Sequence, residues 1–334
     1  MHLAIDESRR AQGISSPNPP VGAVILAPDG SVVGCGHTQP VGGPHAEVMA
    51  LRDADAAARG ATAVVTLEPC NHTGRTGPCT LALLDAGVTA VYYAIDDPNP
   101  AAAGGAETLR AAGVTAVGGI ERAAAAAGPL RGWLHRQRHS RPFVTAKIAA
   151  TIDGRIAAPD HTSQWITGPE ARARAHEQRA RLDAIIVGTG TVLHDDPALT
   201  AREPNGDLRT HQPTRVVMGE RDLPPGARVT DAAARLAHIR THDPAQVLGA
   251  LDESLWVLVE GGPRVIGAFL AADLVDEIEA YVAPTVLGAG ASSVDIPGVR
   301  TLADARRFAV TDVERVADDV LIRLHRRRMN VQDD

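Results

Sequence analysis

Aromatic residues are scarce in this chain: three Trp, three Tyr and three Phe among 334 residues. Its cores must therefore be built from aliphatic side chains and alanine-rich helices. Cysteine is equally rare, three in all, an odd number that argues against a disulfide scaffold and toward metal binding or catalysis. No window approaches the ~18 uninterrupted apolar residues of a membrane span. The opening MHLAIDESRR lacks the apolar run of a signal peptide, so a cytoplasmic protein with no membrane partner is expected. Positive charge is also short: the net charge of −7 disfavours a nucleic-acid track, which needs a clustered excess of Lys and Arg. The basic stretch RLHRRRMN near the end reads as a solvated charged tail. No short-period repeat is found, which excludes a solenoid.

What remains is ordinary globular composition, 44% hydrophobic and 22% charged. At ~150 residues per domain, the length suggests two domains. VGAVILAPDGSVVGCGH reads as two strands joined at Pro28-Asp29-Gly30. A helix is expected from Pro44 to Gly60, then a buried strand, ATAVVTLEPC, that delivers Cys70 at its end. Helical and strand patterns continue to alternate, with one helical run expected from Glu121 through WLHRQRHSR. Pro142 opens a new pattern, FVTAKIAATIDGRIA. The boundary is placed near residues 139 to 142, giving domains 1–140 and 141–334, both α/β. The halves share no motif, which points to two different activities.

The first cluster of chemistry-bearing residues is His45-Ala46-Glu47, at a helix start, with Pro69-Cys70 and Cys79. Two cysteines nine apart are by themselves equally consistent with buried thiols. A His and two thiolates, however, are an accepted catalytic zinc set with one position left for water. Residues two apart on a helix share no face, so His45 and Glu47 converge only on a centre off the helix end. The order His-x-Glu, strand, Pro-Cys matches the zinc-deaminase signature, in which the Glu shuttles protons and is not a ligand. Eight residues, NHTGRTGP, replace the usual two between the cysteines.

At this point SPNPPVGAV, GGPHAEVMAL and VTLEPCNHTGRTGPC resemble the deaminase half of the bifunctional riboflavin-biosynthesis deaminase/reductases, which carry this long insertion. The resemblance implies a cytidine-deaminase-like three-layer α/β/α domain. It further implies one zinc ion on His45, Cys70 and Cys79, Glu47 as the catalytic proton shuttle, and substrate contacts from Asn18, His37 and Arg75. An Asn amide suits a pyrimidinone edge, and an Arg fork suits a phosphate. Gly77 stands where that family usually has proline, His72 reads as either structural or substrate-contacting, and Cys35 reads as a small buried residue.

In the second half TIDGRIA, SQWITG, GTGTVLHDDPALTAR and VEGGPRVIGAFL are strand-end or loop motifs. Taken singly, the Gly-rich pieces are weak signals. The last has more content: an apolar strand, a Gly-Gly-Pro turn and a helix aim backbone N–H groups at an anion. Together they resemble the reductase half of the same family, from about Ala4 to Leu324 for the whole chain. That implies a dihydrofolate-reductase-like α/β fold with NADPH as hydride donor. Cofactor contacts are implied at Ala149, Trp165, Thr191, Asp195 and Gly219, and along Gly262, Pro263, Arg264, Val265, Ile266, Gly267 and Ala268. Substrate contacts are implied at Lys147, Ser163, Arg179, Leu199, Arg202 and Glu260.

The expected function is therefore two-step. A diamino-ribosylamino-pyrimidinone phosphate is deaminated hydrolytically, then its ribosyl group is reduced to ribityl. The partners are small phosphorylated pyrimidines, and a homo-oligomer, a dimer by preference, is expected. The alternatives are a single-activity zinc nucleobase or nucleoside deaminase fused to a non-catalytic domain, and a zinc module that binds RNA.

Overall fold

The computed structural model describes residues 1–72 and 77–326, so the expected substrate contact Arg75 lies outside the described residues. The chain divides into two compact units, Met1–Pro142 and Phe143 onward.

In chain order the first unit contains α1 (His2–Ser8), β1 (Gly22–Leu26), β2 (Val32–His37), α2 (Ala46–Ala54), β3 (Thr62–Leu67) and α3 (Cys79–Asp85). It continues with β4 (Ala90–Ile95), α4 (Gly105–Ala111), β5 (Thr115–Val117), α5 (Arg122–Ala127) and α6 (Arg131–His139). The strands lie in the order β2-β1-β3-β4-β5. β1 runs antiparallel to both β2 and β3, and β3, β4 and β5 are parallel. Helices cover both faces, and β1 and β2 show why. A Cβ on Gly22 would fall 2.5 Å from Ser8 N of α1, and one on Gly36 would fall 2.4 Å from Ala50 N of α2. Gly22 pairs with His37, and Gly36 with Ala23. With a side-chain period of two, α1 and α2 therefore lie on opposite faces. The result is the expected three-layer sandwich.

One expectation changes. The run from Glu121 is two helices, because Gly128 leaves helical geometry ahead of Pro129. A residue preceding proline is pushed out of the α region, and proline has no N–H to continue the ladder.

The second unit contains β6 (Phe143–Thr151), β7 (Arg155–Ala157), α7 (Pro169–Arg179), β8 (Ala184–Gly188), α8 (Thr189–Asp195), β9 (Thr214–Met218), β10 (Leu236–Ile239) and α9 (Pro244–Gly249). These are followed by β11 (Trp256–Val259), α10 (Pro263–Ala271), β12 (Glu277–Ala283), β13 (Ala291–Ser292), β14 (Phe308–Val316) and β15 (Asp319–Arg326). Eight of the strands form one sheet in the order β10-β9-β8-β11-β6-β12-β15-β14. The six from β10 to β12 are parallel, and β15 and β14 add an antiparallel hairpin. Val247, Leu248, Ile266, Phe269 and Leu270, from α9 and α10, pack on Val144, Ala146, Val257 and Val259 of one face. Val192 of α8 packs with Ile185 and Leu258 on the other, where Ala171 of α7 meets Tyr281 and Leu321. Ligand-accessible edges of such a sheet are the carboxyl ends of its parallel strands.

Candidate functional site

In the first unit, His45 is the N-cap of α2 and Glu47 lies in its first turn. Cys70 lies three residues beyond β3, and Cys79 opens α3. These elements meet: His45 Nδ1 is 3.6 Å from Cys70 Sγ and 3.4 Å from Cys79 Sγ. Among the described residues this is the one cluster of three metal-ligating side chains, all ligand atoms within 4.8 Å of one another. A zinc tetrahedron with Zn–N of about 2.0 Å and Zn–S of about 2.3 Å has N···S edges of about 3.5 Å, so the donor triangle fits the ion.

The electrostatics agree with that chemistry. Cys79 and His45 both address Cys70 Sγ, and their hydrogen bonds hold its thiol well below the ordinary thiol range. The Cys79 thiol is raised correspondingly by that same bond. Burial, reinforced by the Cys70 charge, pushes the Glu47 carboxyl up to about 7. An acid poised near neutrality can both take and return a proton.

A cavity of 430 Å³ opens over this cluster, lined by Asn18, Thr38, His45, Glu47, Cys70 and His72, with Asp97, Asn99, Trp133 and Gln137 completing the wall. Asn18 and His72 are thus brought to the cluster. His37 is not: strand alternation turns it to the α1 face, where its Nδ1 lies 2.8 Å from Glu7 Oε1. Cys35 is on that face too and packs with Ala4 and Val24. Sequence reasoning missed Glu68, a buried carboxylate whose oxygens accept the Ala106 N–H at 3.0 Å and the Asp97 N–H at 3.1 Å. Through these bonds Glu68 sets the wall that carries Asp97 and Asn99. Its signal was available, a charge at the end of the apolar run VVTL.

In the second unit a charged cluster forms on the α7 face of the sheet. Arg179, in the last turn of α7, forks onto Glu260, just past β11, at 3.1 and 2.5 Å. Lys147 of β6 is half-buried beside them with its Nζ 5.7 Å from the Tyr281 ring centre. Burial lowers the Lys147 ammonium below its ordinary range, against the charge of Glu260. Burial raises the Glu260 carboxyl, but the charges of Arg179 and Lys147 outweigh it and hold the group down to about 2. Thr200 joins the cluster in a way no motif announced. Its carbonyl accepts from His176 Nδ1 at 3.0 Å and from Arg179 at 3.2 Å, and its hydroxyl accepts from Arg202 at 3.0 Å. Arg179, Lys147 and His176 thus surround the Glu260 carboxylate, with Arg202 tied to the same Thr200, a setting suited to a sugar phosphate.

The expected cofactor contacts divide into groups. Thr191, Gly219 and the start of α10 meet at the carboxyl ends of β8, β9 and β11. A Cβ on Gly219 would lie 2.7 Å from Thr189 Oγ1, one on Gly188 2.8 Å from Val265 Cγ2, and one on Gly262 3.8 Å from Thr191 Oγ1. Side chains at Gly188 and Gly219 would strike Val265 and Thr189, so these glycines let the strand ends pack directly against the starts of α10 and α8, while Gly262 leaves room for a Cβ facing Thr191. Gly262 is the N-cap of α10, Pro263 its first residue, and Arg264 to Ala268 follow within it. Ile266 is in the core, however, and Gly267 packs against the Asp295 backbone. Trp165 is 69% exposed, with Arg172 stacked 4.5 Å from its ring centre. Ala149 packs against the Tyr281 cluster, Asp195 is exposed and Ser163 half-buried. The Leu199 side chain is enclosed with Val187 and Val192, leaving only its backbone for a ligand.

Residues 1–95 match the cytidine and deoxycytidylate deaminase zinc-binding region, and residues 142–322 match the RibD C-terminal domain. The chain is 53% identical over 324 residues to the riboflavin biosynthesis protein RibD of Mycobacterium tuberculosis, covering 97% of this chain and 96% of that one. The chain belongs to the RibD family. Acinetobacter baumannii RibD, form 1, shares its structure at a TM-score of 0.86 with 36% identity, over 98% of both chains. The diaminohydroxyphosphoribosylaminopyrimidine deaminase/5-amino-6-(5-phosphoribosylamino)uracil reductase of Thermotoga maritima does so at a TM-score of 0.87 with 31% identity, over 98% of this chain and 97% of its own. As a RibD family member, the protein is a bifunctional deaminase and reductase of riboflavin biosynthesis that acts on small pyrimidine substrates. The match of the second unit to a RibD domain favours this over a deaminase carrying a non-catalytic appendage. The RNA-binding alternative loses its support as well: Arg323 pairs with Asp312 and Glu314, and Arg326 with Asp273. The rest of that basic stretch, residues 327–330, lies outside the described residues. No helix among the described residues is long and apolar enough to cross a membrane.

Proposed function

We propose that the first unit deaminates 2,5-diamino-6-ribosylamino-4(3H)-pyrimidinone 5′-phosphate and that the second reduces the product's ribosyl group to ribityl with NADPH. One observation carries the first half: a buried acid, Glu47, stands beside three donors spaced as the edges of a zinc tetrahedron. When bound there, zinc supplies Lewis acidity that makes water a nucleophile at neutral pH. Glu47 takes a proton from that water and returns it to the exocyclic nitrogen, which leaves as ammonia while the ring carbon becomes a carbonyl. Asn18 presents its amide to the pyrimidinone edge from the cavity wall. Arg75, from the loop between the cysteines, takes the phosphate.

For the second half, the strand ends at Gly188 and Gly219 and the α10 N-terminus capped by Gly262 support the cofactor site, with that N-terminus directed at the cofactor's phosphates. NADPH supplies the hydride that reduces carbon 1′. Lys147 holds the amine side of the substrate, Glu260 keeps Lys147 and Arg179 in register, and Arg179 with Arg202 holds the phosphate. Ser163 and the Leu199 backbone complete the sugar site, and Trp165, Ala149 and Asp195 complete the cofactor site. Ammonia release and NADPH oxidation scored separately on this substrate test the reading; failure of either removes the corresponding half.

The same reading places the enzyme in the cytoplasm as a homodimer. Three cysteines, none in a disulfide, suit a reducing compartment. The edge strand β14, with Val310 and Val313 exposed, supports pairing of two copies. Analytical ultracentrifugation decides the oligomer.

A further inference from the structure

The nine-residue step from Cys70 to Cys79 puts the two thiol ligands on separate elements, a post-strand turn and a helix start, and bringing such segments together costs chain entropy. The residues that follow each cysteine are themselves joined. Asn71 Oδ1 accepts the Thr80 hydroxyl proton at 3.0 Å. Asn71 Nδ2 donates to Thr108 Oγ1 of α4 at 2.9 Å. Either orientation of the amide completes both bonds, because each threonine hydroxyl can donate and accept. The backbone closes the same seam: Thr80 N–H donates to the Cys70 carbonyl at 3.3 Å, and Cys79 N–H to Cys70 Sγ at 3.4 Å. Thr80 is fully buried, and its methyl lies 3.1 Å from where a Cβ on Gly105 would sit. The pair therefore cannot shift without moving α3 against α4.

We propose that Asn71 and Thr80 are positioning residues of the metal centre, whose mutual hydrogen bond sets the separation of Cys70 and Cys79 and so presents a preset two-sulfur edge to the ion. Neither touches metal or substrate; they act through the cysteines beside them. The proposal rests on the zinc reading of His45, Cys70 and Cys79. Groups that orient ligands in this way typically account for about 10- to 100-fold in metal affinity.

The test is zinc affinity and zinc release rate, read with a chromophoric chelator on the full-length zinc-loaded protein. Thr80→Val keeps the shape and removes the hydroxyl; Asn71→Ala removes the amide; Thr80→Ser restores the hydroxyl. Each of the first two should weaken zinc binding on the order of 10-fold or more through faster release, and Thr80→Ser should bind as wild type. The double variant should lose no more than the worse single one, because both remove the same bond. NADPH-dependent reduction by the second unit, unchanged in every variant, reports that the chain is intact. Wild-type affinity and release in Thr80→Val and Asn71→Ala, or strictly additive losses, would overturn the clamp alone. A wild-type chain that takes up no zinc would overturn the metal-centre reading and the clamp with it.

Discussion

Arg179 and Glu260 form a two-pronged ion pair that joins the end of α7 to the end of β11, with the half-buried Lys147 alongside. The pair is nearly dry, its side chains 15% and 9% exposed. Removing one member of such a pair strands the other in a low-dielectric site, which is more costly than never having had the pair.

Glu260→Gln is therefore expected to abolish reduction while ammonia release continues. It should also change the acid stability of the second unit. The folded carboxyl sits at about 2, below its ordinary 4.5. A depressed carboxyl contributes stability that is complete above the unfolded value and is lost as pH falls through the folded one. Wild type should lose on the order of 3 kcal/mol from this group between those limits, and the variant should not. Melting of the second unit against pH checks the sign.

Glu47→Gln should cut ammonia release by roughly 10²- to 10⁴-fold, the range of a lost general acid–base group. Zinc content, by metal analysis, should be unchanged, because the amide alters no ligand. Reduction of the already deaminated intermediate should proceed at the wild-type rate.

Gly219→Ala should weaken NADPH binding roughly 10-fold or more, since backbone strain of this kind costs of order 1–3 kcal/mol. Gly219 has φ of +127°, and its Cβ would collide with the Thr189 hydroxyl at 2.7 Å. Titration of nicotinamide fluorescence measures the loss, and deamination serves as the unaffected control.

Gly36→Val should uncouple α2 from the sheet, because its side chain would meet the Ala50 backbone at 2.4 Å. Overpacking of this kind costs about 1–3 kcal/mol and more where backbone is struck. His45 and Glu47 ride on α2, so zinc content and ammonia release should fall together in this variant while the second unit still oxidises NADPH.

His45, Glu47, Cys70 and Cys79 are legible because a metal motif is local chemistry at fixed spacing, and the strand and helix that carry them have clear periodicity. His37 shows where spacing stops helping: it is two residues from Cys35 on one strand, and only the packing of α1 reveals which face both occupy. Glu68 and Thr200 act by accepting backbone or side-chain hydrogen bonds from distant segments, which no pattern along the chain records. Lys147 carried a plainer signal, being the only lysine in the sequence, and it sits in a strand interior where a charge demands a partner. The helix break at Gly128-Pro129 was written in the dipeptide and outweighed by the alanine run around it.

The most direct test of two chemistries in one chain is a single-preparation assay that follows ammonia release and NADPH oxidation in parallel, in wild type, Glu47→Gln and Glu260→Gln. The wild-type protein should release ammonia from the diamino substrate and then oxidise one equivalent of NADPH. Glu47→Gln should lose only the first signal when supplied with the deaminated intermediate for the second, and Glu260→Gln only the second. Loss of both signals in either variant, or NADPH oxidation absent from wild type given that intermediate, would contradict the account.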